Sequence, residues 1–346
     1  MKSIIGQGVL RQLNEYLERL KAENVYIITD DIVNRLYIDD LIEIIKNCNY
    51  HVYVIPNGEK SKSLDTVTSI YDHLIESNID RNTLILSFGG GVVGDIAGFV
   101  AATYKRGLKY IQIPTTLLAQ VDSSFGGKVG INYKNYKNII GSFYLPEIIV
   151  VDIEFLKTLD KRQITCGLAE VLKYGLIYDY DFFKFVSCNI NRIYSLDSEI
   201  LLKIVNRAIE IKVKIVDKDL YDKGIRQILN FGHTIGHSIE SYYDFSKYNH
   251  GESVILGMIY ESFIAKELGL IDDIYFSQIY EILKSIVTPI KFNYDEIKKL
   301  HQIMKNDKKN INKKIGFILP VDRGKVSLFT DVDERIIFKS LKGEWI

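Results

Sequence analysis

The sequence predicts an α/β fold: an N-terminal Rossmann-like parallel-sheet domain followed by a mostly α-helical C-terminal domain. Over about the first 150 residues, short β-rich apolar runs alternate with stretches of helical periodicity, the pattern of a parallel sheet covered by helices. From Gln163 to Met304 the apolar residues recur mostly with a period of 3.6, and Pro289 is the single proline. At roughly 150 residues per domain, 346 residues accommodate two domains, which we place at 1–160 and 161–346.

Five apolar runs form the predicted sheet, and they are nearly unbroken, as expected of strands buried on both faces. These predicted strands are Val25–Thr29, His51–Ile55, Thr83–Ser87, Tyr110–Ile113 and Ile148–Val151. Helical periodicity from Ser63 to Ser77 and from Val93 to Tyr104 predicts two covering helices, and two short strands are predicted at Ile315–Leu319 and Val326–Phe329. We expect the active site in the cleft between the two domains.

The composition excludes several classes of protein. Lys and Arg number 44 and Asp and Glu number 44, and this formal net charge of zero argues against a nucleic-acid-binding or membrane-surface protein. No apolar run approaches the ~20 residues of a membrane-spanning helix. Three widely spaced cysteines fit reduced thiols better than a disulfide framework. We therefore expect a cytoplasmic protein that binds any anionic ligand through a local group of cations.

A glycine-rich turn follows the third predicted strand. Gly89, Gly91 and Gly94 spell GxGxxG between this strand and a helix, where bare backbone can approach a phosphate at the helix N-terminus. The turn is not on the first strand and no acidic residue lies about 20 positions later, so it is not the usual dinucleotide fingerprint. A phosphate site and a tight turn without a ligand both fit the spacing.

The segment from Pro114 to Asn132 is polar and contains further glycines. Thr115 and Thr116 follow a strand directly, and Asp122 and Lys128 flank the glycine-bearing part. We interpret this segment as a loop because it is polar and contains glycines. Loops at strand ends of α/β sheets often carry functional residues, so we expect some of its side chains to meet a ligand. A solvated loop without a ligand is the alternative.

Three of the six histidines lie between positions 233 and 250. His233 and His237 are four residues apart and share one face of a helix. Two imidazoles, one carboxylate and an open fourth position form a catalytic zinc arrangement. The carboxylate could come from Glu170, Glu240 or Glu252, and the spacing does not choose among them.

Several strings occur in an order and spacing that is highly specific. They are Asn57–Lys62 (NGEKSK), Gly89–Phe99 (GGGVVGDIAGF), Pro114–Ser124 (PTTLLAQVDSS), Gly126–Lys128, Lys137–Asn138, Ala169–Glu170, Leu229–His237 (LNFGHTIGH), His250–Glu252 and Asp307–Lys309. In these strings the chain resembles the 3-dehydroquinate synthases, a sugar-phosphate cyclase family, from about Asn57 to the C-terminus. The family's reaction turns 3-deoxy-D-arabino-heptulosonate 7-phosphate into 3-dehydroquinate and phosphate by oxidation, phosphate elimination, reduction and aldol closure. It belongs to the shikimate pathway of aromatic amino acid biosynthesis.

The resemblance implies two cofactors, NAD and one divalent metal, zinc or cobalt. Its metal ligands match Glu170, His233 and His250. Its NAD-binding positions match Asp30, Asn57, Gly58, Glu59, Lys60, Ser61, Lys62, Gly91, Val92, Val93, Gly94, Asp95, Thr115, Thr116, Lys128, Lys137, Phe155, Leu156, Lys157 and Thr158. Domain 1–160 would then bind NAD, and domain 161–346 the metal and substrate.

The resemblance also implies a set of catalytic and substrate-binding residues. They match Asp122, Lys128, Asn138, Lys173, Lys212, Arg226, Asn230, His237, and one of Lys308 and Lys309. Lys128, Asn138 and the 308–309 pair would bind phosphate. Lys212 and Arg226 would bind the substrate carboxylate, and Asp122 and Lys173 would orient hydroxyls. His237 would relay a proton. Arg106 matches an arginine that reaches the neighbouring subunit of a homodimer.

The chain departs from the family pattern at a few positions, which bear on individual contacts and not on the activity, and three other functions are weighed separately. Asp222 stands where glutamate is usual, Leu145 replaces a common glutamine and Val129 a common threonine. The alternatives are a metal- and NAD-dependent polyol dehydrogenase, another sugar-phosphate cyclase, and an inactive binding protein. Net formation of NADH would identify the dehydrogenase, and substrate preference would identify another cyclase.

Overall fold

The computed structural model describes residues 1–346 except Asn135, Lys223, Phe245, residues 307–313, Glu344 and Ile346. The chain forms two compact units: the first comprises Met1–Ile164 and Ser195–Val216, and the second Thr165–Tyr194 and Asp217–Ile346. The first unit thus takes a helical segment from beyond residue 160. The domain boundary at residue 160 stays a prediction.

The strands of the described residues fall into one large and two small sheets. They are β1 (Ser3–Gly6), β2 (Asn24–Asp30), β3 (Asn49–Ile55), β4 (Leu84–Gly89), β5 (Tyr110–Pro114), β6 (Lys128–Tyr133), β7 (Tyr136–Phe143), β8 (Ile148–Asp152), β9 (Phe317–Asp322) and β10 (Lys325–Phe329). The large sheet has the order β1-β8-β5-β4-β2-β3, and every neighbouring pair in it is parallel. The five predicted sheet strands are confirmed as β2, β3, β4, β5 and β8. Strand β1 was not predicted, because four residues are too few to show a pattern.

The strand order places a switch point at the carboxyl ends of β2 and β4. The chain runs from β2 outward to β3, then returns to β4 on the opposite side of β2. Ligands of open α/β sheets bind in the crevice formed at such a reversal. The glycine-rich turn follows β4 directly and therefore lies at the switch point.

Alternating side chains of β2 fill two cores, one on each face of the sheet. Tyr26 and Ile28 pack with residues of the helices Leu64–Glu76 and Gly91–Thr103. Val25 and Ile27 pack with residues of the helices Leu13–Leu20 and Asp31–Ile44. Because both faces are covered in the middle of the sheet, β2, β4, β5 and β8 read as continuous apolar runs, whereas the edge strand β3 is mostly exposed.

The helices account for most of the remaining chain. They are α1 (Leu13–Leu20), α2 (Asp31–Ile44), α3 (Leu64–Glu76), α4 (Gly91–Thr103), α5 (Lys161–Ile177), α6 (Tyr180–Cys188), α7 (Ile190–Tyr194), α8 (Ser198–Lys218), α9 (His233–Tyr242), α10 (His250–Glu267), α11 (Asp273–Ile286), α12 (Tyr294–Lys305) and α13 (Glu334–Lys342). The predicted helical character of residues 163–304 is confirmed, and β9 and β10 confirm the two predicted short strands. Among helices in the described ranges, none combines the length and apolar character needed to span a bilayer.

The interpretation of residues 114–132 as a loop is wrong in part. Ala119–Ser123 forms a π-helical turn, and from Lys128 the chain enters β6, which pairs antiparallel with β7. Gly130 and Gly141 face each other across this hairpin, and a Cβ on Gly141 would lie 2.3 Å from the Val129 carbonyl oxygen. Gly130 therefore permits close strand pairing, whereas Gly126 and Gly127 lie in the bend before β6 with positive φ, as expected of a loop.

Candidate metal and nucleotide sites

The switch point is built largely from backbone. Strand β4 ends at Gly89, and α4 starts two residues later with Gly90 as its N-cap and no side-chain cap. A helix leaves its first backbone N–H groups without helical partners, and its dipole favours an anion there. The start of α4 can therefore accept a phosphate.

The glycines of this turn are also required by packing. A Cβ on Gly89 would lie 2.5 Å from Val93 Cγ2, and one on Gly94 would lie 2.4 Å from Gln112 Nε2. A Cβ on Gly91 would lie 3.1 Å from Ser123 Oγ. Close approach of α4 to β5 and the neighbouring turn thus explains the motif in part without any ligand.

Several residues matched to NAD binding come together beside α4. Lys62 contacts Asp95, and burial raises the pKa of the Asp95 carboxyl even though Lys62 opposes that rise. Glu59 accepts a hydrogen bond of 2.7 Å from Asn132 Nδ2. Asn132 Oδ1 in turn accepts one of 2.9 Å from the backbone N–H of Asn138.

Asp30 has a structural role in addition to any contact with a ribose. It ends β2 and is the N-cap of α2, where its Oδ1 accepts 3.0 Å hydrogen bonds from the N–H groups of Ile32 and Val33. Burial raises the pKa of the Asp30 carboxyl, and these backbone bonds oppose that rise.

The remaining positions matched to NAD are spread over the first unit. Residues 57–62 include a short 3-10 helix, Glu59–Ser61, and Asn57 N–H donates to Asp31 Oδ1 at 2.8 Å. Thr116 Oγ1 accepts from the N–H of Ala119 at 3.2 Å. Phe155 and Leu156 lie in the short helix Ile153–Thr158 with buried side chains, so they belong to the core.

Two charged residues that match substrate-binding positions of the family form an ion pair in the first unit. Lys212 Nζ on α8 lies 2.7 Å from Asp122 Oδ1 in the π-helical turn, and Lys212 is only 5% exposed. Lys128 is exposed at the start of β6, and Asn138 on β7 has a left-handed φ of 50°. Arg106 is exposed in a turn after α4, with a φ of 67°.

In the second unit, a carboxylate and two imidazoles from three helices converge. Glu170 on α5 is 1% exposed, and His233 and His250 are the first residues of α9 and α10. Glu170 Oε1 lies 3.6 Å from Nε2 of His233 and 3.7 Å from Nε2 of His250. Tetrahedral bonds of about 2.1 Å would separate two ligand atoms by about 3.4 Å, so the three donors suit a zinc-like cation.

Packing of α10 explains how these helices meet. A Cβ on Gly251 would lie 2.4 Å from the Cα of Cys166 on α5, and one on Gly257 would lie 1.8 Å from the carbonyl oxygen of Gly232. The absence of side chains at these two positions lets α10 touch the backbone of both neighbours, which brings its first residue to Glu170.

The second nitrogen of each imidazole also has a partner. His233 Nδ1 lies 3.0 Å from the Phe231 carbonyl oxygen, which can only accept, so Nδ1 donates. His250 Nδ1 lies 3.2 Å from Glu240 Oε2. In the neutral rings Nε2 then carries the lone pair that a metal requires.

The charged neighbours of His250 oppose the effect of burial. Burial disfavours the imidazolium, but hydrogen bonds to Glu170 and Glu240 outweigh it and raise the pKa of His250 to about 9. A proton and a metal ion therefore compete for this side chain.

The structure gives the three candidate carboxylates different positions. Glu170 faces both histidines, whereas Glu240 lies at the opposite nitrogen of His250. Glu252 forms a capping box with Asn249 at the start of α10. A second group of possible donors, His237 with Glu240 and His250, shares His250 with the first.

Other residues matched to catalysis lie near this cluster or in a neighbouring turn. Lys173 contacts Glu170 one helical turn away, and the ring centroid of His237 lies 5.1 Å from that of His233. Arg226 and Asn230 lie in the short helix Ile225–Asn230, where the buried Arg226 donates through Nη1 to the Leu220 carbonyl at 2.7 Å. Lys308 and Lys309 lie outside the described residues.

One buried carboxylate in this region was not identified from the sequence. Glu261 is fully buried on α10 and accepts hydrogen bonds from the N–H groups of Gly232 and Ile235 at 2.6 and 3.1 Å. The available signal was a single acid within an otherwise apolar helical stretch, because such a charge is almost never buried without partners.

The fold and the side-chain cluster together define a class of protein. It is an α/β protein whose sheet has a switch point suited to a nucleotide, and whose helices carry a candidate metal centre. Residues 52–166 match the family description 3-dehydroquinate synthase N-terminal, and residues 167–310 match 3-dehydroquinate synthase C-terminal. The chain belongs to the 3-dehydroquinate synthase family, whose members are lyases that act on a phosphorylated sugar.

Individual relatives agree with this membership. The chain is 43% identical over 322 residues to the 3-dehydroquinate synthase of Alkaliphilus metalliredigens (strain QYMF), covering 93% of this chain and 90% of the relative. Among solved structures, the 2-epi-5-epi-valiolone synthase ValA of Streptomyces hygroscopicus subsp. jinggangensis 5008, with NAD+ and Zn2+ bound, has a TM-score of 0.90 at 25% identity, covering 98% of this chain and 95% of that one. A 2-deoxy-scyllo-inosose synthase complexed with carbaglucose-6-phosphate, NAD+ and Co2+ has a TM-score of 0.89 at 28% identity, covering 98% and 96%.

Proposed function

We propose that the chain converts 3-deoxy-D-arabino-heptulosonate 7-phosphate into 3-dehydroquinate and phosphate, with NAD as a recycled cofactor and one divalent metal, zinc or cobalt. The observation that carries the proposal is the buried Glu170 carboxylate facing Nε2 of both His233 and His250, in a chain of this family. When bound, NAD supplies reversible hydride transfer and the metal supplies Lewis-acid polarisation of oxygen.

The residues of the second unit hold the metal and handle protons in this proposal. Glu170, His233 and His250 hold the ion. His237 lies beside both histidines, with ring centroids 5.1 and 5.9 Å away, and moves the proton of the reacting hydroxyl. Lys173 orients a ring hydroxyl. The buried guanidinium of Arg226, positioned by the Leu220 carbonyl, binds the substrate carboxylate.

The residues of the first unit bind the nucleotide and the substrate anions. The start of α4 binds a phosphate of NAD, and Asp30 accepts from a ribose. Lys128 and Asn138 bind the substrate phosphate, and one of Lys308 and Lys309, which belong neither to this unit nor to the described residues, binds it as well. Asp122 holds the Lys212 ammonium at a fixed position, where this lysine binds the carboxylate and Asp122 orients a hydroxyl.

We also propose a cytoplasmic homodimer in which Arg106 contributes to the phosphate site of the partner subunit. Its exposed position in a turn suits such a contact. Mixing Arg106→Ala chains with inactive Lys128→Ala chains should then regain part of the activity, because some sites contain both residues intact. Demonstrated heterodimers without activity would contradict the shared site.

One assay tests the proposed reaction. Phosphate release from the heptulosonate phosphate is measured with and without NAD and a chelator. Both omission of NAD and chelation should abolish release, and phosphate should exceed NAD by a large molar factor without accumulation of NADH. NADH formed in proportion to product would identify a dehydrogenase. Turnover of sedoheptulose 7-phosphate or glucose 6-phosphate at a comparable rate would identify another cyclase.

A further inference from the structure

Both candidate metal histidines are the first residues of their helices. The backbone N–H groups there have no partner inside the helix, so the orientation of such a residue depends on groups outside the helix. His233 opens α9 after Gly232, whose φ of 77° is left-handed, and His250 opens α10 after Asn249. Two buried glutamates contact these first turns: Glu240 at the imidazole of His250, and Glu261 at the backbone N–H groups of Gly232 and Ile235.

Glu240 connects α9 to the first residue of α10. It lies seven residues after His233, about two turns along α9, and is 4% exposed. Its Oε2 lies 3.2 Å from Nδ1 of His250. An ionised carboxylate only accepts hydrogen bonds, so Nδ1 donates and Nε2 faces Glu170 at 3.7 Å.

Glu261 makes the opposite connection, from α10 to the start of α9. It lies eleven residues after His250, about three turns along α10, and is fully buried. Its two oxygens accept from separate donors, Oε2 from Gly232 N–H and Oε1 from Ile235 N–H. These two donors bracket His233 in the chain, so the carboxylate fixes the turn that carries it.

We propose that Glu240 and Glu261 are reciprocal positioning residues of the metal centre: each histidine-bearing helix holds the first turn of the other through a buried carboxylate. The inference rests on the proposed metal function. Glu240 fixes the tautomer and ring plane of His250, and Glu261 fixes the backbone that orients His233. Acceptors bound to the second nitrogen of a metal-binding histidine typically change metal affinity 10–100-fold when they are removed.

The experiment measures metal affinity of the chelator-stripped full chain. Zn2+ is titrated in competition with a chromophoric chelator, and Co2+ by its visible absorption. Wild type should bind one ion per chain. Glu240→Ala should weaken binding about 10–100-fold and change the Co2+ spectrum. Glu240→Gln should recover part of the loss, because an amide oxygen can still accept from Nδ1–H.

Glu261 is tested with the nearly isosteric Glu261→Gln. Glutamine has a single acceptor oxygen, and its amide N–H group would face one of the two backbone N–H donors. Metal affinity and the melting temperature of the metal-free protein should therefore both fall, and circular dichroism checks that the chain folds. Glu296→Gln in the capping box of α12 is the matched control and should change neither affinity nor spectrum, because glutamine preserves a capping box.

The outcomes separate this inference from the proposed function. Wild-type affinity and an unchanged Co2+ spectrum in Glu240→Ala and Glu261→Gln would overturn the positioning roles while leaving the metal function intact. Two ions per wild-type chain and one in Glu240→Ala would make Glu240 a ligand, with His237 and His250, and also overturn the inference. Wild type that binds no metal would overturn both.

Discussion

The two candidate sites differ in the groups that form them: mainly backbone at the nucleotide site, and side chains at the metal site. At the switch point of the first unit, the turn after β4 presents backbone, and its glycines are explained by contacts that a Cβ would block. In the second unit, the metal cluster consists of side chains whose partners are further side chains or carbonyl groups. The first site should thus be sensitive to added atoms and tolerant of changed functional groups. The second should be sensitive to the loss of a single polar atom.

The largest expected effect comes from removing a metal ligand. His233→Ala and His250→Ala should each weaken metal binding more than about 100-fold, beyond the range for removing a supporting group, and reduce activity to background. Metal content by elemental analysis and phosphate release are the measurements.

His237→Ala is the matched comparison for these variants. It should retain the metal and lose rate, because His237 lies beside the cluster without facing Glu170 in the observed donor set. Full metal occupancy and activity in His233→Ala or His250→Ala would contradict the ligand assignment.

Gly257→Ala should show that the metal site is also sensitive to an added atom, through a loss of both stability and metal binding. The new Cβ would lie 1.8 Å from the Gly232 carbonyl, a backbone atom that cannot rotate away. Overpacking costs typically 1–3 kcal/mol, and we expect about 3 kcal/mol or more from denaturant unfolding, with weaker metal binding. Gly316→Ala is the control, because its Cβ would meet only Leu328 Cδ1 at 3.4 Å. Equal stability of the two variants would refute the close α9–α10 packing.

Gly94→Ala should have a smaller effect at the nucleotide site. Its Cβ would lie 2.4 Å from Gln112 Nε2, the end of a side chain that can move. We expect a loss of about 1–2 kcal/mol in unfolding free energy and weaker NAD binding by titration. Gln112→Ala in the same chain should restore part of the stability by removing the clashing atoms. A double variant no more stable than Gly94→Ala would place the strain elsewhere.

The smallest expected effect is a difference in metal affinity between two variants that each lose a helix cap. Asn249→Ala and Asn293→Ala each remove the cap of a capping box and should each cost about 1 kcal/mol of stability. Only Asn249 precedes a candidate metal ligand, so only its loss should also weaken metal binding. Equal metal affinity in both variants would mean that the cap of α10 does not position His250.

The sequence predicted the parallel sheet well because its central strands are buried on both faces and appear as apolar runs. It missed β1, and it misread β6 because glycines that allow close strand pairing look like those of a loop. A candidate metal cluster of two imidazoles and one carboxylate was predictable from the three histidines between positions 233 and 250. Spacing left Glu170, Glu240 and Glu252 open and the family resemblance selected Glu170; the contact of α5 with α10, which no local pattern encodes, brings this acid to both histidines. Glu261 was missed because its partners are backbone groups of another helix.

The position of β1 at the edge of the large sheet affects the order in which the strands pair while the chain is being synthesised. Ser3 of β1 pairs with Ile149 of β8, and β1 has β8 as its strand neighbour in the sheet. During synthesis at about 5–20 residues per second, β1 would wait roughly 7–30 s before its partner exists. Pairings of such long sequence separation also close slowly after the chain is complete. Strand β1 therefore leaves the ribosome well before its partner β8 and joins the sheet late, and until then its unpaired backbone is open to association with another chain.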